Sequence, residues 1–261
     1  EVAGAGYKAA LDSFRPYIPE GADVWATYTS LYSSDLGVFT PAPGGEDYMI
    51  HALGRDRREA YQQAFIDTAP EVVITTMPYY TAYEEWLWAR YPVFFEQLIT
   101  HYTLTAYNGS HILWLRNDAG GAPAGPAMPA PVSEGGAITL PGNDTDRVMY
   151  YALTVQYEAS GGPIPVLNRL PRFYLRADGA ALGLYAQILP NDETEWTLVI
   201  PVFAGQGDVT LSPFIDGIAP QATLDIDGAE YRVLDVPEAN DDLILWNYCS
   251  WKGETDDRCA S

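Results

Sequence analysis

The stretch Asn117-Asp118-Ala119-Gly120-Gly121-Ala122-Pro123-Ala124-Gly125-Pro126-Ala127-Met128-Pro129-Ala130-Pro131-Val132-Ser133-Glu134-Gly135-Gly136 divides the chain. It is Ala, Gly and Pro almost throughout, so it is expected to hold neither a helix nor a strand ladder. Residues 118–136 therefore read as a linker between a domain over 1–117 and a domain over 137–261. The charge balance does not change sharply across it, but the hydrophobic period does.

On its N-terminal side, helix and strand patterns alternate. Tyr7, Ala10, Leu11 and Phe14 follow the i, i+3, i+4, i+7 rule of an amphipathic helix, which Pro16 and Pro19 end. Val24-Trp25-Ala26-Thr27-Tyr28-Thr29 reads as a strand. Residues 55–68 predict a helix with Ala60, Tyr61, Ala64 and Phe65 on one face, stopped by Pro70. Glu71 to Thr76 follows as a short buried strand. Residues 81–102 are helical, with Pro92 at the first turn of the second half and Phe95, Leu98, Ile99 and Tyr102 as its stripe. Leu104–Tyr107 and Ile112–Arg116 are strands joined at Asn108-Gly109, a strong hairpin signal. The sum is a small α/β layered domain.

On the C-terminal side almost nothing has a helical period. Strands are expected over 148–157, 172–176, 181–189, 195–203, 209–213, 222–226, 231–236 and 242–246. Turns at Asp178-Gly179, Pro190-Asn191-Asp192, Gly205-Gln206-Gly207 and Asp227-Gly228 separate them. Short strands at that spacing predict an all-β sandwich, jelly-roll-like.

Composition narrows the function. Of 261 residues, 14 are Lys or Arg and 35 are Asp or Glu, a formal net charge of −21. That balance excludes nucleic-acid binding through a basic surface and disfavours docking on anionic lipid. No run of 18 or more apolar residues is present to span a bilayer. The chain starts at Glu1-Val2-Ala3-Gly4 without an initiator Met, and so is expected to be a processed or excised fragment. Cys249 and Cys259 lie ten residues apart. A disulfide between them is the expectation, which places the chain outside the cytoplasm, with two free thiols as the rival.

Catalytic signatures such as G-x-S-x-G, H-E-x-x-H and the P-loop are missing. His51, His101 and His111 lack metal-ligand spacing, so no metal and no cofactor are expected. Ser110 stands next to His111, but neighbours on a strand point to opposite faces, which argues against a Ser–His dyad. Glu46, Asp47 and His51 form the densest polar cluster. One helical turn would bring Asp47 and His51 to one face for acid–base work, or leave them as a capped structural turn. Tyr79, Tyr80, Tyr83, Glu84, Glu85 and Trp86 set rings beside carboxylates, as sugar sites do, or else form an N-capped helix packed inward from Thr81. Asp225-Ile226-Asp227-Gly228 opens like a calcium loop but lacks its downstream Glu, and reads as an Asp-Gly hairpin. Asn143, Asp144 and Asp146 are a further candidate cation loop. Asn108-Gly109-Ser110 and Asn143-Asp144-Thr145 fit the glycosylation acceptor pattern.

Taken in order, Gly21-Ala22-Asp23-Val24-Trp25-Ala26-Thr27-Tyr28-Thr29-Ser30-Leu31, Glu46-Asp47-Tyr48-Met49-Ile50-His51-Ala52-Leu53-Gly54, a helix with Arg58, Tyr61 and Phe65, Tyr83-Glu84-Glu85-Trp86-Leu87 and Ser110-His111-Ile112-Leu113-Trp114 form a pattern. Over residues 6 to 116 it resembles the soluble C-terminal portion of bacterial polytopic membrane glycosyltransferase-like proteins of the GT-C type. The resemblance implies an extracytoplasmic region tethered through a transmembrane portion outside this chain. It also implies a lipid-linked sugar or glycan acceptor as partner, and no catalytic residue here, because the family's catalytic acid sits in a membrane loop. Two alternatives stand beside it. One is a freestanding envelope hydrolase using Glu46, Asp47 and His51. The other is a structural or adhesive envelope protein.

Overall fold

The structure is a computed structural model, and it describes residues 12–27, 49–77, 87–88, 90–117, 125–161, 171–177, 186–216 and 221–241. It is mostly β, with twelve strands and two full α-helices among the described residues. Two compact units emerge, one of the described residues up to 117 with 237–241, the other of 125–236.

The first unit is built on a four-stranded sheet of order β1-β2-β4-β3. Strand β1 is Val24–Ala26, β2 is Val72–Thr76, β3 is Tyr102–Tyr107 and β4 is His111–Arg116. Strands β1 and β2 run parallel, and the other pairs are antiparallel. A parallel pair needs a long crossover, and helix α1 (Arg55–Thr68) lies within it. Helix α1 ends where Ala69 turns left-handed at φ 41° and its N–H returns to the Phe65 carbonyl. Helix α2 (Pro92–His101) starts on Pro92, whose missing N–H is no loss at a first turn. Its next two N–H groups, of Val93 and Phe94, donate to Gln62 Oε1 on α1 at 3.1 and 3.2 Å. One helix thus caps the other, and Gln62 is buried to do so. The inward face of α1 is Arg58, Tyr61, Gln62 and Phe65, while Ala60 is exposed and Ala64 half-buried. The expected alanine stripe is corrected on this point, because the polar cap-forming residues take the inner positions.

Strand β2 is buried on both faces, which explains its unbroken apolar run. Val72 and Ile74 pack with Phe14, Ala22, Val24 and Leu113 on one side. Thr75, on the other, accepts from Trp114 Nε1 at 2.9 Å. Trp25 meets Tyr61 and Phe65 edge-on and donates to the Tyr61 hydroxyl at 2.8 Å. The single Tyr91 hydroxyl proton is shared between the carbonyls of Met49 and Ala52, tying the start of α2 to the short 3₁₀ turn Met49–His51.

The second unit holds two antiparallel sheets, β10-β7-β12-β5 and β6-β11-β8-β9. Their strands are β5 (Met128–Pro129), β6 (Ile138–Leu140), β7 (Met149–Ser160), β8 (Arg172–Ala177), β9 (Ala186–Leu189), β10 (Glu195–Val202), β11 (Val209–Asp216) and β12 (Thr223–Leu234). Gly136, at φ 75°, sits where an added Cβ would lie 3.3 Å from Ile226 of one sheet and from Pro213 of the other. The positive φ and the close approach both call for glycine there.

Two expectations are overturned here. The Ala/Gly/Pro stretch carries strand pairing: Met128 and Pro129 face Tyr231 and Glu230, Gly125 N–H donates to the Val233 carbonyl, and Val132 bridges to Ile138. An edge strand pairs on one side only, so prolines whose missing N–H faces outward are tolerated. Asp227-Gly228 is also not a hairpin turn. Residues Thr223–Leu234 form one strand along β7, with a register shift between Ile226 and Gly228 that leaves Asp227 as the bulged residue. That correction also removes the calcium-loop geometry. Residues 181–185, the turn at Asp178-Gly179 and the strand expected over 242–246 lie outside the described residues.

Candidate functional site

The β3–β4 hairpin brings together the polar side chains with the most chemical interest. Its closing pair is Asn108 and His111, with the Asn108 N–H donating to the His111 carbonyl at 3.0 Å. Gly109 and Ser110 are therefore the turn residues, not Asn108 and Gly109. Neither adopts a positive φ, so the tight turn expected of Asn-Gly does not form. Instead the Asn108 side chain organises the turn. Its Oδ1 accepts from Ser110 N, Ser110 Oγ and His111 N at 3.0, 3.0 and 2.9 Å. Asn108 Nδ2 reaches back to Ser13 Oγ at 3.5 Å, and Met77 N–H holds the Ser110 carbonyl at 2.8 Å.

Ser110 Oγ lies 2.7 Å from His111 Nδ1. The expectation that the two side chains diverge is corrected, because Ser110 belongs to the turn and is free of the strand's alternation. The pair is nevertheless a poor nucleophile–base couple. A hydroxyl has one proton, and both contacts of Ser110 are satisfied together when it donates to Asn108 Oδ1 and accepts from His111 Nδ1–H. In that arrangement the imidazole does not withdraw the serine proton. The ring is also buried, 1% exposed, and desolvation pushes its pKa down to about 4. A base that weak removes protons poorly near neutrality. The triplet Asn108–Ser110–His111 is thus a device for burying a neutral imidazole at a hairpin end.

On the two segments that meet at this hairpin, one tyrosine each is exposed to solvent. Tyr107, the last residue of β3, is 56% exposed, and Tyr17, in the 3₁₀ turn Arg15–Tyr17, is 48% exposed. Their segments are joined by the Asn108–Ser13 contact. Sequence periodicity did not single them out, since an exposed ring leaves no apolar stripe; the available signal was Tyr107 placed directly before a turn.

Of the residues expected to carry chemistry, His51 ends the 3₁₀ turn Met49–His51 and is exposed. Glu46, Asp47, Tyr79, Tyr80, Tyr83, Glu84, Glu85, Trp86, Cys249 and Cys259 lie outside the described residues. Asn143 is fully buried and committed: Nδ2 donates to the Arg147 and Val202 carbonyls at 2.6 and 2.8 Å, and Oδ1 accepts from Thr145 N and Oγ1. Its loop is a closed structural turn, which removes it as a cation ligand and as a glycan acceptor. Among the described residues no group of three or more His, Cys, Asp or Glu is placed to hold a metal. No helix among them is long and apolar enough to cross a membrane.

No protein-family model matches the chain, and no curated protein matches it. Among solved structures it is similar to a family two carbohydrate esterase from Cellvibrio japonicus, with a TM-score of 0.20 and 11% identity. That match covers 42% of this chain and 32% of that one. Likeness at that level assigns neither fold nor activity.

Proposed function

We propose that the chain is the extracytoplasmic region of a membrane glycosyltransferase-like protein and that it recognises a glycan acceptor without performing the transfer. In this view the first unit is an α/β layer and the second a β-sandwich, with the parent protein supplying the membrane span and the catalytic acid. The observation that carries the recognition role is the exposure of the Tyr17 and Tyr107 rings on segments joined by the Asn108–Ser13 contact. Exposed ring faces stack on sugar C–H surfaces.

The test is binding of the chain to a panel of bacterial envelope oligosaccharides, with the Tyr17→Ala/Tyr107→Ala variant as comparison. Both rings are exposed, so the variant is expected to fold normally and to bind about tenfold more weakly, a loss of about 1.4 kcal/mol. Equal binding by the variant, or no saccharide binding by the wild type, would remove this assignment.

A further inference from the structure

We infer that the outward face of β8 and β11 is a binding platform for an acidic oligosaccharide, one carrying carboxylates on its sugar rings. The inference rests on the glycan-recognition role above and adds a second face, in the other unit, and a charge class. Alternate residues of a strand share a face, so Arg172, Tyr174 and Arg176 of β8 point together. Cross-strand register sets Asp216, Phe214 and Ser212 of β11 directly opposite them. The reverse face of the same strands is core: Phe173, Leu175 and Leu211 are buried.

Three observations favour an acidic ligand. The Arg176 guanidinium lies over the Phe214 ring, 4.4 Å from its centroid, and Phe214 is 36% exposed. A guanidinium stacked on an aromatic face is held flat with its N–H edge outward, which suits a carboxylate fork. Next, the chain carries 35 acidic and 14 basic residues, so a partner for any arginine is statistically at hand. Yet among the described residues neither Arg172 nor Arg176 forms an ion pair, and Arg172 does not close on the facing Asp216. Third, the exposed Phe214 ring lies at the register position between the two arginines, backed by the buried Tyr174, whose ring is 6.3 Å away. The two arginines are four residues apart along the strand, roughly 13 Å between their Cα atoms. A face of that length, with one exposed ring between two cations, matches an extended acidic saccharide better than a single small anion.

The experiment titrates the full chain with oligogalacturonate, with the same oligomer methyl-esterified, and with poly-glutamate. Oligogalacturonate is expected to bind at least tenfold more tightly than its ester. In Arg172→Gln/Arg176→Gln that difference should vanish, and in Asp216→Asn it should grow. Arg176→Lys, which keeps the charge but not the planar fork, should fall between, with circular dichroism confirming that each variant is folded. Ester and acid binding equally would overturn the acidic preference and leave glycan recognition standing. Poly-glutamate binding as tightly as the sugar would overturn the saccharide assignment. Failure to bind any saccharide would overturn both, and so, for this face, would undiminished binding by the double arginine variant.

Discussion

His111 is kept neutral because its ring is out of water, and that links folding to pH. Its folded pKa, about 4, lies below the ordinary 6.5, so between those values the unfolded chain binds more protons than the folded one. The contribution is fully present above pH 6.5 and is lost as pH falls to about 4. By linkage it amounts to about 3 kcal/mol at most. Urea unfolding at pH 7 and pH 4.5, for wild type and His111→Asn, isolates this part from the titrating carboxylates. The wild type is expected to lose more stability on acidification than the variant, and equal losses would contradict the burial argument. Burial also pushes the pKa values of Tyr61 and Tyr102 upward, so both stay protonated across the working range. The composition of the hairpin was legible as Asn-Gly-Ser-His. The contacts were not, because they depend on which two residues occupy the turn.

At the level of elements, glycine shows where a strand or loop has no room. An added Cβ at Gly142 would lie 2.7 Å from the Gln206 carbonyl oxygen and 2.8 Å from the Gly207 carbonyl carbon. Both are backbone atoms of the neighbouring loop, and the Gly142 N–H is itself held by Asp208 Oδ1 at 2.8 Å. At Gly228, beside the β12 bulge, the nearest atom is Gln156 Oε1 at 2.8 Å, the free end of a long side chain. Gly142→Ala is therefore expected to destabilise by about 1–3 kcal/mol, and Gly228→Ala by clearly less. Thermal melts of the two variants check the ranking; a larger loss at Gly228 would mean the bulge is less accommodating than its register implies. The same strand marks the limit of local signals. Asp-Gly between apolar runs favours a turn, but a long partner in β7 lets the flanking residues pair continuously and absorbs Asp227 as a bulge. Helix α2 and strands β2, β7 and β10 were readable because each carries a sustained apolar pattern, and α1 was readable as a helix from its stop at Pro70 although its inner face was not.

At the scale of the whole molecule, the chain returns to its first unit after finishing the second. The 3₁₀ turn Glu238–Asn240 places the buried Asn240 side chain between α2 and β3. Its Oδ1 accepts from Leu104 N–H at 2.7 Å, and its Nδ2 donates to the Ile99 and Tyr102 carbonyls at 2.9 and 2.8 Å. These backbone groups sit where helix passes directly into strand, so neither ladder serves them. Asn240→Ala would leave them buried and unmatched, a loss of about 3 kcal/mol. Hydrogen exchange should then show weakened protection across residues 98–104 while β7 and β10 stay protected. Unchanged protection in 98–104 would show that the bonds are dispensable. Nothing local around Asn240 announces this role, since Pro-Glu-Ala-Asn reads as an ordinary turn. By itself the sequence determined the elements with a sustained hydrophobic period, the β-rich second half and the acidic charge, because these follow from neighbours along the chain. Tertiary structure alone decided the pairing of the Ala/Gly/Pro stretch, the single bulged strand β12, the Ser110–His111 contact and the Asn240 bonds. Each of those is settled by a partner tens of residues away or by the turn geometry that a partner strand imposes, and the free energy of such contacts has no signature in local composition.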